Sequence, residues 1–134
     1  MSEILHGRCL CGAVEFECDP GHEPMTMCHC KQCRQWSGHA WPSISVPVSS
    51  LKVTKGHDQI KWFISSEFAK RGFCSDCGSS LFWHPDRHSE WKDEIAVSAG
   101  TIEDFFGRKL AKHIFVASKG NYYDITDKLV QEDD

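Results

Sequence analysis

Hydrophobic and polar positions along this chain alternate in short stretches, and few stretches keep a helical period. Val14, Phe16 and Cys18 alternate with Glu15 and Glu17, the period of two that turns one face of a strand inward and the other to water. Runs at 39–48, 60–64, 68–73, 80–83, 95–99 and 113–116 are rich in Ile, Val, Phe and Trp and are separated by Gly, Pro, Ser or Asp. That spacing predicts a mainly β protein of short strands. Helix is scarce: 31–37 can form one or two turns ended by Gly38, and 101–105 a further turn capped by Thr101. Asp19-Pro20-Gly21 reads as a turn. Pro42 and Pro47 bracket 43–46, which predicts an edge or bulged strand there. No repeat or linker divides the chain, so the expectation is one domain over 1–126 and a frayed acidic tail over 127–134.

With 134 residues the chain is long enough for one sizeable core. Its formal charge of −4 comes from the last eleven residues, where Asp124, Asp127, Glu132, Asp133 and Asp134 face Lys128 alone. A neutral body with an acidic tail offers no basic face, so nucleic acid and anionic membrane are poor partners. No apolar run approaches the roughly 18 residues of a membrane span. Glu3 and His6 interrupt the N-terminal segment where a signal peptide needs its apolar stretch. The expected location is the cytoplasm; the pattern fixes no oligomeric state.

A cytoplasmic setting changes how the eight cysteines are read, because clusters in a reducing compartment bind metal or perform redox chemistry. Cys9 and Cys11 form C-x-C; Cys28, Cys30 and Cys33 form C-x-C-x-x-C; Cys74 and Cys77 form C-x-x-C followed by Gly78. Cys18 stands alone on the inward face of its strand and reads as a small buried hydrophobe. Structural zinc takes four ligands in a closed tetrahedron, whereas catalytic zinc keeps a position open. Cys9, Cys11, Cys74 and Cys77 would make the closed, all-thiolate site. Cys28, Cys30 and Cys33 would leave one position for substrate or water, and thiolates select zinc among the common metals. Other partitions stay open. The trio could be a second structural site completed by His29, His39 or His6, although His29 lies between two ligands and should point away. Cys30 and Cys33 could instead pair with Cys74 and Cys77 as a zinc ribbon, and a C-x-x-C can be a redox pair.

Gly7-Arg8-Cys9-Leu10-Cys11-Gly12-Ala13-Val14, Cys28-His29-Cys30-Lys31-Gln32-Cys33-Arg34, Arg71-Gly72-Phe73-Cys74-Ser75-Asp76-Cys77-Gly78-Ser79 and Ala99-Gly100-Thr101 follow in this order. Together they resemble the glutathione-dependent formaldehyde-activating enzyme family, also called the GFA or centromere-protein-V domain family. The resemblance runs from Gly7 to His113-Ile114-Phe115-Val116 and Lys119. It implies a β-tent fold of twisted antiparallel sheets with zinc knuckles. It implies a structural zinc on Cys9, Cys11, Cys74 and Cys77, and a substrate-facing zinc on Cys28, Cys30 and Cys33 as the catalytic group. The implied reaction adds glutathione to formaldehyde to give S-hydroxymethylglutathione, a carbon–sulfur lyase reaction read in reverse.

The residues suit that chemistry. A free thiol has a pKa of about 8.5 and must be deprotonated to attack an aldehyde. Glutathione carries two carboxylates, for which Arg34 and Arg71 are the candidate cations, with Lys31 beside them and Trp36, Trp41 and Trp83 as candidate pocket walls. Two competing functions remain. One is a noncatalytic zinc-binding module that holds a protein partner. The other is a methionine-sulfoxide reductase, which would need a reactive cysteine outside the knuckles, and only Cys18 is left.

Overall fold

A computed structural model describes residues 3–134. Its strands are β1 Leu5–Arg8, β2 Glu15–Cys18, β3 Met25–Cys28, β4 Trp41–Pro47, β5 Lys52–Lys55, β6 Ile60–Ile64, β7 Lys70–Cys74, β8 Ser80–His84, β9 Glu94–Ser98, β10 Leu110–Ile114 and β11 Val130–Gln131. One α-helix, α1 at Lys31–Ser37, lies between β3 and β4. A three-stranded sheet has the order β1-β2-β5, and an eight-stranded sheet the order β11-β10-β3-β4-β9-β8-β7-β6. The fold is mainly β, as the alternation predicts.

Strand parity gives the large sheet two different faces. On β4, Ile44 and Val46 enter the main core, whereas Trp41, Ser43 and Ser45 line a cavity on the opposite side. On β9, Ile95 and Val97 are core residues and Ala96 faces the cavity. The small sheet covers the core face with Leu5, Phe16 and Cys18, each buried. Phe16 meets Phe82 of β8 edge to face, with ring centroids 5.0 Å apart, a favoured aromatic geometry. Truncating either ring would cost about 3–5 kcal/mol. Gly7 is needed here because a Cβ would stand 2.3 Å from the Phe16 ring.

Several elements depart from the sequence expectation. β4 is a central strand, not an edge: the β9 ladder opens at Ser43, one residue after Pro42, and closes at Pro47. The prolines therefore sit at the ends of the β9 ladder, where a missing N–H costs least, although Pro42 pairs with Met27 within the β3 ladder. β10 runs parallel to both β3 and β11, so the sheet is mixed. The 101–105 turn forms earlier, as a 3-10 turn at Ala99–Thr101. The tail is attached: Val130 and Gln131 pair with Lys112 and His113 of β10.

Candidate metal centres and an aromatic pocket

The first cluster joins two tight turns. Cys9 leaves β1, and the Val14 N–H donates to its Sγ at 3.3 Å while the Gly12 N–H donates to its carbonyl. Cys74 ends β7 in the same way, with the Cys77 N–H donating to its Sγ at 3.4 Å and the Gly78 N–H to its carbonyl. Gly12 and Gly78 both adopt φ +79°, a conformation that costs glycine little. The four sulfurs lie within 4.8 Å of one another, with Cys9–Cys11 at 3.7 Å and Cys11–Cys74 at 3.8 Å. A tetrahedron with metal–sulfur bonds of about 2.3 Å has edges of roughly 3.8 Å. The donors therefore fit a four-coordinate metal, and none is in a disulfide. Burial resists ionisation at Cys77, but a hydrogen bond with the Ser79 hydroxyl and its neighbours hold that thiol down to about 5. Four crowded thiols cannot all ionise without a cation to compensate them.

The second cluster is built where β3 turns into α1. Cys28 ends the strand, Cys30 caps the helix by accepting from the Cys33 N–H at 3.3 Å, and Cys33 follows one helical turn later. Helical spacing puts Cys30 and Cys33 on one side. Gly38, at φ +94°, then ends the helix as its spacing predicts. The three sulfurs converge within 4.8 Å, and no histidine joins them among the described residues. Hydrogen bonds from Cys28 and then Cys33 pull Cys30 down to about 2, and the same contact with Cys30 pushes Cys28 up.

Arg71 of β7 supplies the charge argument. It is 4% exposed and forms no ion pair with a carboxylate among the described residues. Its Nη1 and Nη2 donate to Cys33 Sγ at 3.7 Å, and Nε and Nη2 donate to Gln32 Oε1 at 3.1 and 2.9 Å. The guanidinium also stacks 5.0 Å from the Trp36 ring centroid. A buried cation needs a counter-charge, and the thiol cluster is the anion within its reach. Three thiolates around a dication carry a net −1, which matches Arg71.

The three cysteines form the floor of a cavity of about 320 Å³. Trp41, Trp83, Trp91 and Phe68 wall it, and Thr26, Ser43 and Ser45 add hydroxyls. Trp36 packs behind the cluster and meets Trp41 edge to face at 5.1 Å. Of the predicted aromatic walls, Trp41 and Trp83 line the space directly. Neither predicted substrate cation does. Arg34 donates from Nε to the His29 carbonyl at 3.2 Å and from Nη2 to the Ser118 carbonyl at 3.1 Å. Arg71 lies beneath Cys33, and Lys31 is exposed outside the cavity.

A hydrogen-bonded chain of side chains runs behind the cluster. Asp127 accepts from His113 Nε2 at 3.0 Å, His113 Nδ1 lies 2.8 Å from His29 Nε2, and His29 Nδ1 lies 2.7 Å from the Tyr123 hydroxyl. Asp127 as terminal acceptor orders the donors: Tyr123 donates to His29, and His29 to His113. Burial holds His29 below the usual histidine range. His29 indeed points away from the thiols, and the chain ties the Cys28–Cys30 loop to the C-terminal segment. The pairing of β3 with β10, which joins residues far apart in sequence, brings these groups together, so no local motif announces them.

Both the sequence and the fold have known relatives. Among solved structures, the crystal structure of a Rhodobacter sphaeroides protein from a structural-genomics programme is similar, with a TM-score of 0.63 and 25% identity over 77% of this chain and 92% of that one. An uncharacterized lyase of Schizosaccharomyces pombe is 23% identical over 91% of this chain and 85% of its own length. A Halomonas elongata protein, provisionally named a glutathione-dependent formaldehyde-activating enzyme, is 25% identical over 93% of this chain and 83% of its own length. The sequence profile of that enzyme family matches residues 4–118, spanning all three cysteine motifs. The chain belongs to the glutathione-dependent formaldehyde-activating enzyme family.

Proposed function

We propose that the protein is a zinc-dependent carbon–sulfur lyase that forms or cleaves the adduct of a thiol with an aldehyde. Glutathione and formaldehyde are the pair named for its family. Cys9, Cys11, Cys74 and Cys77 would hold a structural zinc, and Cys28, Cys30 and Cys33 a second zinc with one position free. Zinc bound to that trio would take a fourth sulfur and keep it deprotonated at neutral pH.

The carrying observation is a converging thiol trio at the floor of an open cavity, with Arg71 as its buried counter-cation. In the forward direction the thiol sulfur bonds to the carbonyl carbon, the C=O π bond breaks, and the thiol proton ends on the new hydroxyl. Ser43, a hydroxyl in the cavity wall, would donate to that oxygen. Arg71 steadies Cys33 and balances the charge of the cluster.

The test is the rate of S-hydroxymethylglutathione formation from glutathione and formaldehyde, followed by NMR exchange. Acceleration by the wild type, lost in Cys30→Ser together with one metal per chain, is expected. No acceleration at full metal content, with formaldehyde or with a larger aldehyde, would overturn the proposal.

A noncatalytic module remains the second reading, and one observation favours it. The edge strand β6 exposes Phe63 at 61% and Ile64 at 66%, the kind of apolar edge that pairs with another chain. Retained partner binding in Cys30→Ser would support that reading.

A further inference from the structure

The cavity above Cys28, Cys30 and Cys33 does not end at its tryptophans. Ser45, Trp83, Trp91 and Ala96 also line a second chamber of about 240 Å³, whose far side carries Glu23 and Glu94. One groove thus runs from the thiols, past indole walls, to two carboxylates. Among the described residues, no Lys or Arg lines either chamber. Glu94 Oε2 is buried and makes no hydrogen bond among the described residues. Burial first, and then the charge of Glu23, push its carboxyl above the usual range.

These features bear on what can lie in the groove. A closed apolar cavity of roughly 150 Å³ is enough to hold benzene, so about 320 Å³ has room for a ring and its linker. Formaldehyde would leave most of that space unfilled. The charged ends of glutathione would find no cation there, and burying a carboxylate without a partner is costly. Glu23 and Glu94 add repulsion at the far end. An adduct carries two substituents around its sulfur and carbinol carbon. The charged one is better left in solvent, and the one that enters the groove must be apolar.

We infer that the aldehyde component of this enzyme's adduct is an uncharged aryl or branched-alkyl aldehyde, whose apolar group lies between Trp41, Trp83 and Trp91 while the thiol's polar remainder stays outside. The inference rests on the lyase reading above and assigns its substrate class.

The test separates binding from chemistry by using unreactive alcohol analogues on protein with its metal content confirmed. Calorimetry and ligand-observed NMR with benzyl alcohol and with 4-(hydroxymethyl)benzoate read the groove directly. Benzyl alcohol is expected to bind, the benzoate at least tenfold more weakly, and Ala96→Phe to abolish binding by filling the cavity at unchanged metal content. The double variant Glu23→Gln/Glu94→Gln should narrow the gap between the two ligands. Turnover should favour phenylacetaldehyde over formaldehyde in kcat/KM. Absence of benzyl alcohol binding, equal binding of the benzoate, or binding undiminished in Ala96→Phe would each overturn the inference. Formaldehyde turnover without any apolar binding would leave the lyase reading standing and remove the substrate class. Apolar binding without acceleration of any aldehyde would do the reverse, removing the lyase reading and keeping the groove's preference.

Discussion

Cys9, Cys11, Cys74 and Cys77 meet between two tight turns against the main core, whereas Cys28, Cys30 and Cys33 form the floor of an aromatic cavity on the other face of the large sheet. The first set is complete in itself: four donors, two supporting glycines, and separations that match a tetrahedron edge. The second has one donor fewer, a buried guanidinium on Cys33, and open space above it. The same ligand type thus serves two ends. Where two distant segments supply all the ligands, a bound metal would fasten the fold; where one short loop supplies three, a fourth position would be left for something else.

The sharpest break of this comparison comes from removing one thiol on each side. Cys74→Ser should abolish folding, since structural zinc contributes on the order of 10 kcal/mol in small domains. Soluble protein with an unaltered Tm would remove the structural role. Cys30→Ser, by contrast, should stay folded, and equal collapse of both variants would make both clusters structural.

Arg71→Leu comes next. Removing one member of a buried charge pair costs about 3–5 kcal/mol, here leaving the thiol trio uncompensated. Thermal denaturation should show the loss, and chelator competition should show earlier release of one metal while the other stays. Simultaneous release of both would contradict the pairing of Arg71 with the trio alone.

His113→Ala interrupts the chain from Asp127 to Tyr123. It leaves His29 without its acceptor, at a cost of about 1–3 kcal/mol. Hydrogen exchange should then speed up at the Cys28–Cys30 loop and at 127–131 together. Faster exchange at only one of them would show that the chain does not couple the two segments.

The smallest effect concerns the far end of the groove. Burial raises the Glu94 carboxyl above its unfolded value, so its contribution to stability is full below the ordinary carboxylate pKa and is lost as pH rises through the folded value. Glu94→Gln should therefore raise Tm at pH 7 by about a degree or two and give no gain near pH 4. A gain of equal size at both pH values would show that charge is not the cause.

Much of the site was legible because its signals are local. Cysteine spacing of one or two residues is set by the turns that hold the ligands, so the three chelating motifs could be read from the chain, whereas the grouping into four and three is given by the fold. Gly38 and the 31–37 helix were equally local. The walls were not, because Phe68, Trp91 and Thr26 reach the cavity only through the sheet order. Their isolated hydrophobic or hydroxyl character resembles any half-buried strand. Arg34 and Arg71 show the limit from the other side. Their nearness in sequence to the cysteine motifs suggested substrate contact, whereas one bonds two backbone carbonyls and the other is buried under Cys33. β11 was missed because Val130 is its single strongly apolar residue, and its stability comes from pairing with β10.

Metal content per folded chain in the wild type and in Cys30→Ser tests the division between a closed and an open site most directly. Two zinc ions in the wild type and one in a folded Cys30→Ser protein, with glutathione protecting only the wild type's second ion from a chelator, is the expected result. One ion in both proteins, or two ions equally resistant to chelator with and without glutathione, would contradict it.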